Sequence, residues 1–507
     1  MYFGEFAHQL WGLISVTNIA ILFATVVLGI VFGALPGLTA TLGVALLATV
    51  TLKLELQSAM VALMGIYVGA IYGGSHPSIL LNIPGTAAAA ATAVDGHKLC
   101  LRGRGGETIG TATVMSFVGN LTGVFAMLML IPLLTRLALQ FTSVEMALLA
   151  VFGVLICGSL TSPDTPLKGW IAGLLGMLMA TVGYDQITTY GRFTFGIPDL
   201  FDGIKPIPVI LGGFALPQII RSLSSPSAVK DDGPSSVSRV FPGLAAVGRH
   251  IKVAIRSALI GVGVGSIPGV GEDVAAWLSY DTARKLSKKP DEYGKGSVEG
   301  VVAAESANNA CIGGALVPLL TLGVPGSPPA VMLLGAIMLH NVLPGPRLPV
   351  THPEFIPQMI AILFLASIAM LACGFAMSRV TVRVVRMPTG VLMPLVALFS
   401  VMGAFALEGS LFNVYGMVLF GLIAYGLEEM GYPIAPLVIG LILGPMADEK
   451  LRTALKVSNG SLAPFFTRPI ALVLVIAILF SVLGQTPARR VVTKWLRRGG
   501  RPTDTKA

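Results

Sequence analysis

The chain has 507 residues, of which 54% are hydrophobic and only 12% charged, whereas a soluble protein carries about 25% charged residues. With a mean hydropathy of +0.81, that composition excludes a soluble domain and predicts an all-α integral membrane protein. The net charge of +9 gathers in short loops and a C-terminal stretch, the pattern of cytoplasmic membrane loops and not of a nucleic-acid surface.

The first apolar run, residues 14–35, is long enough to span a bilayer. No Lys or Arg precedes it, so no cleavable signal peptide is expected. It closes on a helix-breaking Gly33-Ala34-Leu35-Pro36-Gly37, and 48 residues later a second break follows, Asn82-Ile83-Pro84-Gly85-Thr86. Residues 108–134 form another span, and residues 222–249, rich in Ser, Pro and charge, read as a linker. Beyond it the pattern returns. Gly265-Ser266-Ile267-Pro268-Gly269 is followed 57 residues later by Gly323-Val324-Pro325-Gly326-Ser327, with Ala310–Gly314 resembling Ala70–Gly74. Further spans are expected at 355–377 and 469–483, for a total of roughly 12 to 15 hydrophobic segments. The expected organisation is a first repeat half (1–221), a polar linker (222–250), a second repeat half (251–388), additional C-terminal membrane helices without a clear second copy (389–486) and a basic cytoplasmic tail (487–507).

Placing the basic loops (97–104, 221–256, 284–295, 379–386 and the tail) inside gives an outside N-terminus and an inside C-terminus. The two repeats then run in opposite directions. The loop 448–468 also carries cations but falls outside in this threading. Broken helices repeated in two halves point to a secondary transporter, with substrate bound near the midplane where the breaks meet.

A break at membrane depth frees backbone N–H groups and half a positive charge at a helix N-terminus. Four breaks together suit a multiply charged anion. The substrate-binding candidates at and beside the breaks are Thr39, Ser75, Asn82, Gly85, Thr86, Asn308, Asn309, Gly326 and Ser327. Local capping or helix–helix bonding is the alternative for each polar one. Glu272 and Asp273 follow the third break, where an ionised acid costs roughly 2.5–3.5 kcal/mol or more. They are candidate ion-coupling residues, with Na⁺ near Pro268, Gly269 and Glu272 or a proton as the coupling ion. Stabilisation by the dipole of the helix they begin is the alternative. Glu305, Asn308 and Asn309 share one helix face. His76 and His340 lie in apolar context. The four cysteines show no metal or redox spacing. No nucleotide, zinc-protease or hydrolase motif occurs, so no catalytic residue and no cofactor is expected.

These motifs, together with Gly65–Gly74, the run from Gly263 to Trp277 and Glu305-Ser306-Ala307-Asn308-Asn309, resemble the large membrane subunit of tripartite tricarboxylate transporters. The resemblance spans nearly the whole chain and is weakest in the linker and beyond residue 389. It implies a bacterial inner-membrane importer of carboxylates driven by an ion gradient. It also implies two partners, a small membrane subunit and a periplasmic solute-binding protein. His76 stands where the resemblance implies a small residue, a departure that bears on substrate choice. A passive channel and a membrane-embedded enzyme acting on lipid are the competing readings. The channel fits paired broken helices less well, and the enzyme would need an acid–base or metal constellation beyond Glu272-Asp273.

Overall fold

The computed structural model describes residues 2–35, 38–162, 165–185, 187–224, 240, 244–381 and 389–485. Pro36 and Gly37 of the first break, most of the 222–250 linker and the basic tail lie outside the described residues. The helices in chain order are α1 (Tyr2–Leu13), α2 (Val16–Ala34), α3 (Ala40–Val50), α4 (Leu56–Gly73), α5 (Ser75–Leu81), α6 (Ala89–Leu99), α7 (Gly105–Ala138), α8 (Ser143–Thr161), α9 (Pro166–Met179), α10 (Pro206–Ser224) and α11 (Leu244–Gly265). They continue with α12 (Gly271–Leu286), α13 (Val298–Leu322), α14 (Pro328–Leu339), α15 (Leu348–Thr351), α16 (Phe355–Met377), α17 (Thr389–Ala406), α18 (Leu411–Glu429), α19 (Ile434–Val457), α20 (Ala463–Thr467) and α21 (Pro469–Gln485). Among the described residues, one two-residue hairpin (Gly183–Tyr184 with Gly191–Arg192) is the only sheet. Among the described residues, six helical stretches are long and apolar enough to cross a membrane and six further apolar helices are shorter, so the chain is an α-helical, multi-pass membrane protein.

The chain divides into two compact units, residues 1–140 with 205–430 and residues 141–204 with 431–507. The first unit contains all four sequence breaks. Its helices meet through glycines, because lipid supplies no hydrophobic drive between helices and close backbone approach must do that work. A Cβ on Gly29 would lie 2.5 Å from the Ile66 carbonyl oxygen, and one on Gly33 only 2.1 Å from that of Ala70. The same packing recurs further along. A Cβ on Gly261 would lie 2.2 Å from Ala307 O, and one on Gly265 2.5 Å from Cys311 O. An offset of 232 carries Gly29 and Gly33 onto Gly261 and Gly265, and 241 carries Ile66 and Ala70 onto Ala307 and Cys311. The α2–α4 contact is thus repeated by α11–α13.

This packing corrects the register read from the motifs by one residue. Ala70 corresponds to Cys311 and Gly74 to Ala315, since the Gly33 position faces Gly74 N at 2.9 Å and the Gly265 position faces Ala315 N at 3.0 Å. The Gly-Gly pairs look alike in the text, but the neighbouring helix sets which residue faces it.

The second and fourth breaks end their helices identically. Asn82 (φ 56°) and Gly323 (φ 74°) are left-handed C-terminal caps. Ile83 N donates to Pro77 O and Val324 N to Pro318 O, each at 3.3 Å. This six-to-one bond is the Schellman motif, and it wants Gly or Asn at the left-handed residue. Asn82→Gly is therefore expected to melt within about 1 kcal/mol of wild type, whereas Asn82→Ala loses about 1–2 kcal/mol to left-handed strain. Thermal unfolding of the two purified variants checks this, and equal melting temperatures would remove the capping role.

In the second unit, α8, α9 and α19 meet through Gly158 against Gly169, Gly176 against Leu437 O and Gly440 against Gly173 O. Two cations of the 448–468 stretch are paired with acids elsewhere in the second unit. Arg452 Nη1 lies 2.7 Å from Asp185 Oδ2, and Arg468 Nε lies 2.5 Å from Glu145 Oε1. Asp185 also accepts from the Thr188 hydroxyl and the Ile187 amide. With the Thr188 bond as the largest cause, these partners hold its carboxyl well below the usual range.

Candidate transport site

The third and fourth breaks are clasped by backbone. Gly269 N donates to Pro325 O at 3.1 Å, and Gly271 N to Gly326 O at 3.0 Å. Both glycines have positive φ, 75° and 74°, which only glycine adopts without cost. The second break is seated equally tightly. A Cβ on Gly85 would lie 2.0 Å from Gly33 O, and one on Gly326 2.1 Å from Gly265 O. Thr86 packs on Gly74, whose Cβ position lies 2.8 Å from Thr86 Oγ1.

From this frame two acids point differently. Glu272, at the start of α12, is 4% exposed. Its Oε1 accepts from the Tyr67 hydroxyl of α4 at 2.6 Å, and that hydroxyl lies 2.8 Å from Ser327 Oγ. Tyr67 thus ties the first repeat to the third and fourth breaks. Asp273 is exposed and lies against the Ala88 backbone amide, just after the second break. The two acids are neighbours in sequence but have separate surroundings.

The remaining candidates fall into two groups. Buried inside are Asn308, whose Nδ2 reaches Ile71 O at 3.5 Å, and Asn309, whose Nδ2 donates to Glu305 O of its own helix. Both side-chain carbonyls are buried without a partner. Serving local structure are Thr39, exposed and accepting from Leu42 N as the cap of α3, and Ser75, whose hydroxyl donates to Tyr72 O. Thr86 accepts from Ala89 N, and Asn82 is exposed at its helix cap. Ser327 is fully buried at the start of α14. His76 Nε2 lies 2.8 Å from the Tyr72 hydroxyl, which lies 2.6 Å from Thr113 Oγ1, and its Nδ1 is buried without a partner.

The family model described as "Tripartite tricarboxylate transporter TctA family" matches residues 19–439. The chain belongs to this family. Two Agrobacterium vitis proteins are similar to the present TctA-family chain. One, described as "Uncharacterized 52.8 kDa protein in TAR-I ttuC' 3'region", is 33% identical over 474 residues, covering 93% of this chain and 94% of that protein. Another, described as "Uncharacterized protein in TAR-II ttuC' 3'region", is 33% identical over 228 residues, covering 45% of this chain and 94% of its own length. No solved structure matches.

Sequence reasoning missed several polar residues of this TctA-family chain. Tyr67 is one, and Asp95 is another. Asp95 is fully buried in α6, accepting from the Tyr280 hydroxyl at 2.7 Å, Gly296 N at 2.8 Å and Ser297 N at 2.9 Å. Beside it Lys98 Nζ donates to Gly294 O, and Arg102 Nη2 to Lys295 O at 2.6 Å. Gly300 leaves the room, since its Cβ would lie 2.4 Å from Asp95 Oδ2. A lone acid inside an alanine-rich stretch was the available signal. Asp95→Ala strands three donors, two of them buried, and each buried one costs about 1–3 kcal/mol. It is expected to lower the melting temperature strongly, and Tyr280→Phe to do so only slightly. A thermal melt of both variants decides it.

Proposed function

We propose that this TctA-family chain is the membrane permease of a tripartite importer, carrying di- or tricarboxylates or related organic acids across a bacterial inner membrane with an ion gradient. Its partners in this reading are a small membrane subunit and a periplasmic solute-binding protein. The N-terminus lies outside, the C-terminus inside, and the two repeats are inverted. Family membership supports the tripartite assembly, the basic loops support the orientation, and the paired breaks support the transport site.

The observation that carries this reading is the buried Glu272 carboxylate beside the clasped breaks of Pro268-Gly269 and Pro325-Gly326. Substrate carboxylates take the freed amides around residues 82–86 and 323–327, with Asn308, Asn309 and Ser327 nearby. Glu272, with Tyr67 and Ser327 hydroxyls in reach, receives the coupling Na⁺ or proton, and Asp273 stands at the entrance. Each net negative charge imported costs about 2.3 kcal/mol per 100 mV, so co-transported cations make import favourable.

Proteoliposomes holding both membrane subunits, supplied with the binding protein and labelled citrate or a dicarboxylate, test this. Accumulation under an imposed Na⁺ or pH gradient, and none without one, is expected. Gradient-independent equilibration would mark a channel instead.

A further inference from the structure

Away from Glu272 and Asp95, another buried carboxylate lies where α6, α7 and α13 cross. Glu305 is fully buried and makes no salt bridge among the described residues. Its Oε1 accepts from Thr92 Oγ1 of α6 at 2.5 Å and its Oε2 from Ser116 Oγ of α7 at 2.9 Å.

Helices α7 and α13 run parallel here, because Gly119 lies on Ser306 and Gly123 on Ala310 and Gly313. Asn120, one turn beyond Ser116, and Asn309, one turn beyond Glu305, therefore occupy the same next layer. Both asparagines are fully buried. Asn309 spends its Nδ2 on Glu305 O, leaving Oδ1 with no donor, and neither polar atom of Asn120 has a partner. Helix α6 passes antiparallel, with Gly96 near Val301 and Thr92 on Glu305. Its N-terminal end, next to the second break, therefore sits at this same level.

The chemistry of the set is specific. A buried acceptor without a donor costs about 1–3 kcal/mol, and an ionised acid in a membrane core about 2.5–3.5 kcal/mol or more. One occupant removes both costs. Every acceptor in the set is an oxygen: a carboxylate, two hydroxyls that direct their hydrogens into that carboxylate, and two amide carbonyls. Oxygen sets take hard cations, and a single formal negative charge matches a monovalent one. We propose that Glu305, Thr92, Ser116, Asn120 and Asn309 form a sodium site at the crossing of α6, α7 and α13, separate from Glu272. The proposal rests on the ion-coupled permease reading only for what the bound ion does, not for whether it binds. In that role the ion fixes the start of α6 against α13 and so sets the second break.

The test uses the purified full chain without carboxylate or partner proteins. Melting temperature is followed against NaCl, with KCl or choline chloride replacing it at constant ionic strength. A saturable, Na⁺-specific rise is expected, since an ion that binds only the folded state stabilises it. In Asn120→Leu and Asn309→Ala the midpoint should move at least tenfold to higher Na⁺. Should either variant fail to fold, Ser116→Ala and direct binding of radioactive Na⁺ to wild type give the same reading. No Na⁺-specific rise or binding in wild type, or an unchanged midpoint in folded variants, overturns the site. Citrate uptake is scored separately. Na⁺ binding without uptake leaves the site standing and removes the permease reading, whereas gradient-driven uptake without Na⁺ binding does the reverse.

Discussion

Glu272→Gln is expected to abolish gradient-driven carboxylate uptake while substrate binding survives. The substitution keeps the shape of the side chain and removes its charge. It also weakens the bond from Tyr67, where a hydrogen bond to a charged group contributes about 1.5–3 kcal/mol, a factor of roughly 10 to 100 in an equilibrium. Without the charge there is nothing for a cation to neutralise beside the clasped breaks, so the ion gradient loses its grip. Asp273→Asn is expected to do less, because Asp273 is exposed and faces the Ala88 amide. The two variants are compared by concentrative uptake in proteoliposomes and by carboxylate-induced thermal shift. Unchanged ion dependence in Glu272→Gln and in the double variant would place coupling elsewhere and leave these acids as helix caps.

Gly326→Ala and Gly85→Ala are expected to be among the most damaging single-methyl changes in the first unit. Each added carbon would fall 2.1 and 2.0 Å from a backbone oxygen, of Gly265 and Gly33 respectively. A flexible side chain can step aside, but a helix carbonyl cannot do so without moving its helix. Overpacking in well-filled interiors costs about 1–3 kcal/mol, occasionally more, and these contacts belong at the upper end. Gly263→Ala and Gly335→Ala are the controls, since nothing lies within 4 Å of either added carbon. Size-exclusion profiles and melting curves in detergent should show loss of folded protein for the first pair and wild-type behaviour for the second. Equal behaviour of the two pairs would contradict the packing.

Much of the membrane fold was legible because it depends on local chemistry. Length and apolarity give spans, and the run 355–377 coincides with α16. Pro-Gly interruptions mark helix ends, and the repetition of Pro84 and Pro325 anticipates the shared caps at Asn82 and Gly323. The site was less legible, because its bonds join residues far apart in the chain. Tyr67 meets Glu272 across 205 positions and Thr92 meets Glu305 across 213. Nothing in the surroundings of either tyrosine or threonine announces its partner. Asn120 is hidden in the same way, one amide in a long and mostly apolar run. Asn82 carries a second signal besides: the amide beside a break is also the left-handed cap of its helix, a backbone role that its sequence context alone does not announce.

The glycine seams constrain how this protein moves. Where Gly29 and Gly33 rest on carbonyls of α4, and Gly261 and Gly265 on those of α13, no side chain lies between to act as a bearing. Sliding by part of a turn would drive a carbonyl into a Cα, unlike the small shear that side-chain-packed helices allow. Each seam therefore behaves as a weld, and α2 with α4, like α11 with α13, travels as one rigid blade. Conformational change in the first unit is left to its hinges, the unwound peptides around Pro268 and Pro325 and the left-handed residues that end α5 and α13.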